Sequence, residues 1–525
     1  MKLNPLAKFG AGLAAAALAL TMAGCASGGS STTATSSSPA NSGETQETYT
    51  PPTQILNVGQ LIDIRSWDPS QADIGHLIPL YQGVYDNLVL RTPEGDYLPN
   101  LATDWSWNSD QTVLTMNLRS DVTFSDGASF DADVAKANLD NFINGNGPYS
   151  GTLAGVSVAV VDSDTIELTL SEANPDFIYY LATTGSFMAS PNALGTEGLA
   201  TQPVGSGPYL LSSSSIPGSS IIFELNPNYW DKAKQKWLAI NMNILPDVTA
   251  RLNALASGQV DVTLLDIQSA PTAEGAGKTL TSNYVDWSGL IIFDHNGQLG
   301  SPLADVKVRQ ALAYALDREA MLAAIQQGYG EVTNQVYGTG ASAYVPELDN
   351  YYSYDPAKAK ALLAEAGYPN GGVKLTLPGG LIPPLDAVLV DYLGAVGFDV
   401  TIDAVPFSEY RNKMKAGDYA AGWFQLFQGT SWVNTKLVAT RDASWNVLGS
   451  SDPVIDAAVE SILADGSEAN VAEQGKVINR FLVENAWYVP FYRVPQLLFY
   501  DANKVAVSNQ VQNAVPYLYN YSPAN

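Results

Sequence analysis

The chain has 525 residues, with 52 acidic and 26 basic side chains and a net charge of −26 at pH 7. Apolar residues make up 46% and charged ones 15%, with a mean hydropathy of −0.01; this excludes a disordered acidic chain, and the lack of clustered Lys and Arg excludes nucleic acid as a partner. Two histidines and one cysteine exclude a disulfide scaffold and a zinc site built on His and Cys, which leaves a folded protein of two to four domains at roughly 100–200 residues each.

The chain opens with Lys2 and Lys8, followed by an apolar run over 11–22 that is the length of a signal-peptide core and too short to span a bilayer. The run ends in LTMAGC (20–25), which resembles the lipobox of bacterial lipoproteins, with Met22 where Leu is usual. Residues 1–25 are therefore expected to be a lipoprotein signal peptide, with Cys25 as the acylated residue that ties the protein to the membrane. Residues 26–53 are Ser, Thr, Gly and Ala with hardly a large apolar side chain, so they read as a flexible tether reaching roughly 30 Å on average. Each buried methylene contributes ~0.8 kcal/mol, so two or more acyl chains make a lasting anchor. With no other long apolar run, the body is expected to be extracytoplasmic.

In the body, TVLTMNL (112–118) and DTIELTL (164–170) alternate apolar and polar residues, as strands of a half-exposed antiparallel sheet do. Asp247 is placed to cap a helix through Ala256, Gly258 to stop it, and VDVTLL (260–265) follows as a strand. Asp355-Pro356 starts another helix, since Pro in the first turn gives up an N–H that would be unpaired anyway; Gly367 ends it. A helix over 385–395 stops at Gly397 before the strand FDVTIDAV (398–405), and a helix over 408–416 stops at Gly417 before YAAGWFQLF (419–427). Repeated helix–Gly–strand units imply crossovers and a largely parallel sheet with helices on both faces.

The motifs of common chemistry are missing. No GxSxG and no HExxH occurs, neither His76 nor His295 sits in a nucleophile context, and GAGKT (275–279) lacks the first Gly of a phosphate loop because Thr272 stands there. A pair of glycosidase carboxylates stays open, since sequence does not give the spacing of about 5–10 Å that such a pair needs.

Several stretches resemble one family in order and at its spacing. They are WDPSQAD (67–73), VYDNLVLRTPEGDYLPNLATDW (84–105), LRSDVTFSDGASFDADV (118–134), PVGSGPYLL (203–211), NPNYW (226–230) and LPDVTARLNALASGQVDV (245–262). DVKVRQALAYALDREAML (305–322), YDPAKAKALLAEAGYP (354–369) and VPFSEYRNKMKAGDY (405–419) continue the series. These look like the extracellular solute-binding proteins of ABC importers, family 5, which includes dipeptide-, oligopeptide- and nickel-binding members. The resemblance implies an α/β, bilobed, type II periplasmic-binding-protein fold with an extra domain inserted in the first lobe. The first lobe would be 54–66, 201–287 and 491–525, the antiparallel insert 67–200 and the second lobe 288–490, with hinges near 287–296 and 487–493. It also implies a monomer that is not an enzyme, needs no cofactor or metal, and passes a small solute to the permease subunits of an importer. A secreted hydrolase and a surface adhesin are the competing classes.

Where the solute sits can be approached from physics, because ligands of parallel α/β sheets bind at the carboxyl ends of strands. The end of YAAGWFQLF places Trp423, Phe427 and Trp432 with Gln425 and Gln428, an aromatic and amide-rich wall. By family pattern, Asp73, Ile74 and Gly75 would face the solute from the first lobe and Trp445 and Asn446 from the second, with Trp287 and Tyr492 at the hinges. Gly429 falls where many peptide-binding members carry the aspartate that holds the peptide amine. An uncharged wall without that acid points to a peptide held by its main chain, or to a neutral oligosaccharide.

Overall fold

Two long strands organise the computed structural model, which describes residues 49–524. The signal peptide, Cys25 and nearly all of the tether lie outside the described residues. The first crossing strand is Thr279–Ile292 and the second is Tyr488–Tyr500; they pair antiparallel along most of their length. At one end the second also pairs with Val262–Leu265, which leads on to Ile55–Gln60, Ala239–Ile244, Ser220–Leu225 and Tyr209–Leu211. At the other end the first pairs over its residues 286–292 with Ala421–Phe427. One sheet thus runs through both lobes of an α/β bilobed fold. Its partners change over at Tyr284–Asp286 and Val494–Pro495, where a register shift interrupts the ladder. The spans expected as hinges, 287–296 and 487–493, adjoin this bulge on the two strands.

The local reasons for these elements are the ones the residues suggest. The Asp247 carboxylate accepts the Ala250 N–H at 2.8 Å and starts Val248–Ala256; Asp355 does the same for Lys358 at 2.9 Å. Such caps satisfy helix N–H groups that have no partner in the helix and stabilise by about 1 kcal/mol. Gly397 has φ +119, and a Cβ there would come within 2.9 Å of the Gly371 backbone, so only glycine closes Pro383–Val396 tightly enough to begin Phe398–Ala404.

The expectation of a largely parallel sheet is corrected. Within the large sheet only Ile55–Gln60 has parallel partners, Ala239–Ile244 and Val262–Leu265; Val373–Gly379 and Phe398–Ala404 form a separate parallel pair. The helix–Gly–strand units are real, but the second crossing strand returns from the far lobe and lies antiparallel between the strands they supply.

In the inserted region, Ala102–Trp107, Val113–Leu118, Thr165–Thr169 and Ser157–Asp162 form the expected antiparallel sheet. It has its own core, including Leu114, Met116, Leu139, Phe142 and Ile166. Beyond the crossing, two cores lie on opposite faces of the sheet, one around Leu290, Leu312, Leu389 and Tyr492 and one around Trp287, Leu426, Trp445 and Tyr488.

Candidate functional site

The bulge at the crossing decides which side chains meet. Tyr284 pairs with Pro495 and Asp286 with Val494, so the extra Val285 sends Tyr284 and Asp286 to opposite faces. Asn283, Asp286, Ser288 and Leu290 then share one face, and Phe427, Gln425 and Trp423 continue it on the neighbouring strand, opposite Asp286, Ser288 and Leu290. The Trp423 indole N–H donates to Ser288 Oγ at 2.9 Å, and Gln425 Nε2 donates to Asp286 Oδ2 at 3.0 Å. Toward the second lobe this face is sealed, with Leu290 and Tyr492 in the core and Trp423 packed against it. Toward the first lobe it opens, with Gln425 exposed and Asp286 and Phe427 half-buried. Burial lifts the Asp286 carboxyl above its ordinary range, and only the Gln425 amide opposes this.

The first lobe reaches the crossing through a strap at residues 509–515. Asn283 Nδ2 donates to the carbonyls of Gln510 and Asn513. Asn513 clamps Gly75 in turn, accepting its N–H at 3.1 Å and donating to its carbonyl at 3.0 Å. Gly75 takes φ +83 to make this turn. Ile74 packs against the first-lobe core, while burial and the neighbouring Asp73 carboxylate push the Tyr149 phenol up to about 12.

Gln512 carries the strap across to the second lobe. Its Nε2 donates to the carbonyls of Gly340 at 2.9 Å and Gly429 at 3.1 Å, and its Oε1 accepts from Arg91 Nη2. The Gly429 carbonyl therefore already has a protein partner, and its N–H donates to Asn434 Oδ1 at 3.0 Å. Gln428 is buried and donates to the Val336 carbonyl at 3.0 Å. Nearby, Asp176 of the insert lies against the N-terminus of Ser431–Val438. It is only 6% exposed, and burial pushes it up to about 6 although Thr430, the Val433 N–H and Arg91 pull it down.

The expected residues divide accordingly. Trp423, Phe427 and Tyr492 share the face of Asp286, Gly75 and Gly429 are contacts of the strap, and Gln428 is turned to Val336. Trp432 is not on that face: it lines a cleft of ≈ 850 Å³ with Phe177, Tyr180 and Glu172 of the insert, and it also borders the pocket of Gln512, Gly340 and Arg91 beside the strap. Trp287 is fully buried on the opposite face, edge-on to Tyr488 with ring centroids 5.7 Å apart. Trp445 is 3% exposed and its ring lies 4.6 Å from Phe424, which alternates to the other side of the strand from Trp423 and Gln425. Asn446 closes its own loop, donating to the carbonyls of Thr440 and Ser450 and accepting the Ser450 N–H. A single wall joining Trp423 to Trp445 is thus not formed, because a strand sends successive side chains to opposite faces. Nor is the wall uncharged, since Asp286 stands in it.

Asp286, Arg91, Asp176, Gln512 and Asn513 were not anticipated. For Asp286 the one signal was an acid inside the apolar run of a long strand, VDWSGLII (285–292). Among the described residues no group of three or more His, Cys, Asp or Glu could hold a metal ion, and no helix is long and apolar enough to cross a membrane.

The geometry can be set beside known proteins. The family of bacterial extracellular solute-binding proteins, family 5 (middle), matches residues 96–446. The chain is 28% identical to heme-binding protein A of Haemophilus influenzae over 383 residues, 65% of this chain and 68% of that protein. It is 31% identical to the glutathione-binding protein GsiB of Salmonella paratyphi A over 281 residues, 52% of this chain and about half (53%) of that protein. Among solved structures, HbpA2 from Haemophilus parasuis superposes with a TM-score of 0.79 at 21% identity, over 90% of this chain and 100% of that one, which shows a shared fold. Proteins of this kind bind solutes and are not enzymes, which removes the hydrolase reading and leaves the carboxylates without a catalytic role. With the family match covering well over half of its length, the chain belongs to the bacterial extracellular solute-binding proteins of family 5.

Proposed function

We propose that this chain is a lipid-anchored extracytoplasmic receptor that captures a solute between two closing lobes and delivers it to the permease of an ABC importer. One observation carries the reading. Two crossing strands are shared by both lobes, whereas the strap meets the second lobe through hydrogen bonds from one amide, Gln512, to two carbonyls. Each such bond contributes roughly 0.5–1.5 kcal/mol net, so the lobes can part there while the strands hold them in register. The first lobe is taken as 54–66, 201–287 and 491–525, the insert as 67–200 and the second lobe as 288–490. Cys25 supplies the anchor, residues 26–53 the tether, and the receptor works as a monomer.

A peptide is the solute proposed first. The likeness to a glutathione-binding protein supports it, as do the amide of Gln425 and the flat faces of Trp423 and Phe427. Those faces would also stack on sugar rings, which makes a neutral oligosaccharide the second reading. The test is native mass spectrometry of the protein purified from its own host. A co-purifying peptide supports the first reading, an oligosaccharide the second, and a protein ligand would replace both with an adhesin.

A further inference from the structure

The geometry points to Asp286 as the anchor for a positively charged amine on the solute. The inference rests on the peptide-receptor reading above and adds which end of the peptide is held, and by what.

Asp286 stands where the sheet passes from one lobe to the other, on the face that opens toward the first lobe. From Asn283 to Leu290 that face carries Asn283, Asp286, Ser288 and Leu290, flanked by Phe427, Gln425 and Trp423 on one side and Val494 and Tyr492 on the other. Asp286 is the single charged side chain among them. Its one hydrogen-bond donor among the described residues is the neutral Gln425 amide, and no cation acts on it. Asp261 and Asp349, by contrast, each meet a cation, Lys504 at 2.7 Å and Arg493 at 2.7 Å.

A half-buried carboxylate held by one amide carries an uncompensated desolvation cost, which raises its proton affinity. A ligand ammonium is the group that offsets this cost, because it brings opposite charge and donors to the free lone pairs together. Phe427 lies directly across the ladder from Asp286, and an aromatic face beside a carboxylate favours a cation further. The strand end cannot do the same work, since Gly429 has no side chain and its carbonyl is already taken by Gln512. Two residues earlier in the ladder, the neighbouring strand supplies the missing acid.

The test uses equilibrium dialysis against two equimolar mixtures of random tri- to pentapeptides, one with free amines and one N-acetylated, with retained peptides counted by mass spectrometry. The wild type is expected to hold the free-amine mixture at least about thirtyfold more tightly, the lower end of what losing one partner of a desolvated charge pair costs. Asp286→Asn keeps the shape and the bond from Gln425, and is expected to abolish that preference while melting, without peptide, at or above the wild-type temperature. A preference that survives in a folded Asp286→Asn, or a wild type that holds both mixtures equally, overturns the inference and leaves the peptide reading standing. Retention of neither mixture by the wild type overturns both.

Discussion

Asp176→Asn probes the contact between the insert and the second lobe through its dependence on pH. The carboxyl ordinarily titrates at 3.8 and is pushed up to about 6, mainly by burial. The groups acting on it are the Thr430 hydroxyl, the Val433 N–H and Arg91, and the adjacent Tyr180 stays neutral in this range because its own value is raised. A rise from 3.8 to about 6 is roughly two pH units, which corresponds to ~3 kcal/mol at 1.36 kcal/mol per unit. The sign follows from where the proton binds more tightly. The folded protein takes up the proton more readily, so this contribution is fully present below pH 3.8 and is lost as pH rises through about 6. Above that the wild type buries a charge that these groups offset only in part, and the neutral Asn variant does not. Thermal melts of both proteins from pH 4 to pH 7 should therefore diverge, with the variant gaining steadily on the wild type as pH rises. Curves that stay parallel across the range would refute the claim that Asp176 is ionised at a cost in this contact.

Trp445→Ala should lose roughly 3–5 kcal/mol of stability, as for a buried aromatic replaced by Ala, yet bind peptide normally once folded, whereas Trp423→Ala should weaken retention in dialysis. Gln512→Ala removes both bonds from the strap to Gly340 and Gly429 and should enlarge the peptide-free radius of gyration and weaken binding by a few-fold or more, read by small-angle scattering and dialysis. Cys25→Ala should shift the protein from the membrane fraction to the medium or leave it unprocessed; a variant of normal mature mass that stays membrane-bound would contradict the anchor.

Much of the fold was legible because its signals are local. Asp247, Asp355, Gly397 and Gly417 act within one turn of where they stand, so residue type and spacing suffice to place the helix ends. The strand directions were not legible in this way, because nothing near 488–500 says that this strand returns between others and makes its neighbours antiparallel. The site was legible to the extent that Trp423, Gln425 and Phe427 alternate onto one face of one strand. Trp445 could not be placed, since it reaches the other face from a loop some twenty residues later. Asp286 was hidden by the bulge: simple alternation along 281–287 would put it on the face opposite Asn283, and one extra residue brings the two together.

If the two lobes close on a solute about the crossing strands, binding makes the molecule more compact. Small-angle scattering of the chain from residue 49 onward, alone and with the free-amine peptide mixture at saturation, tests it most directly, with dialysis on the same samples to show occupancy. Closure gives a smaller radius of gyration with peptide bound and a higher melting temperature, with about 2.7 kcal/mol of added stability at a hundredfold excess over Kd. Bound peptide that raises the melting temperature and leaves the scattering curve unchanged would contradict it.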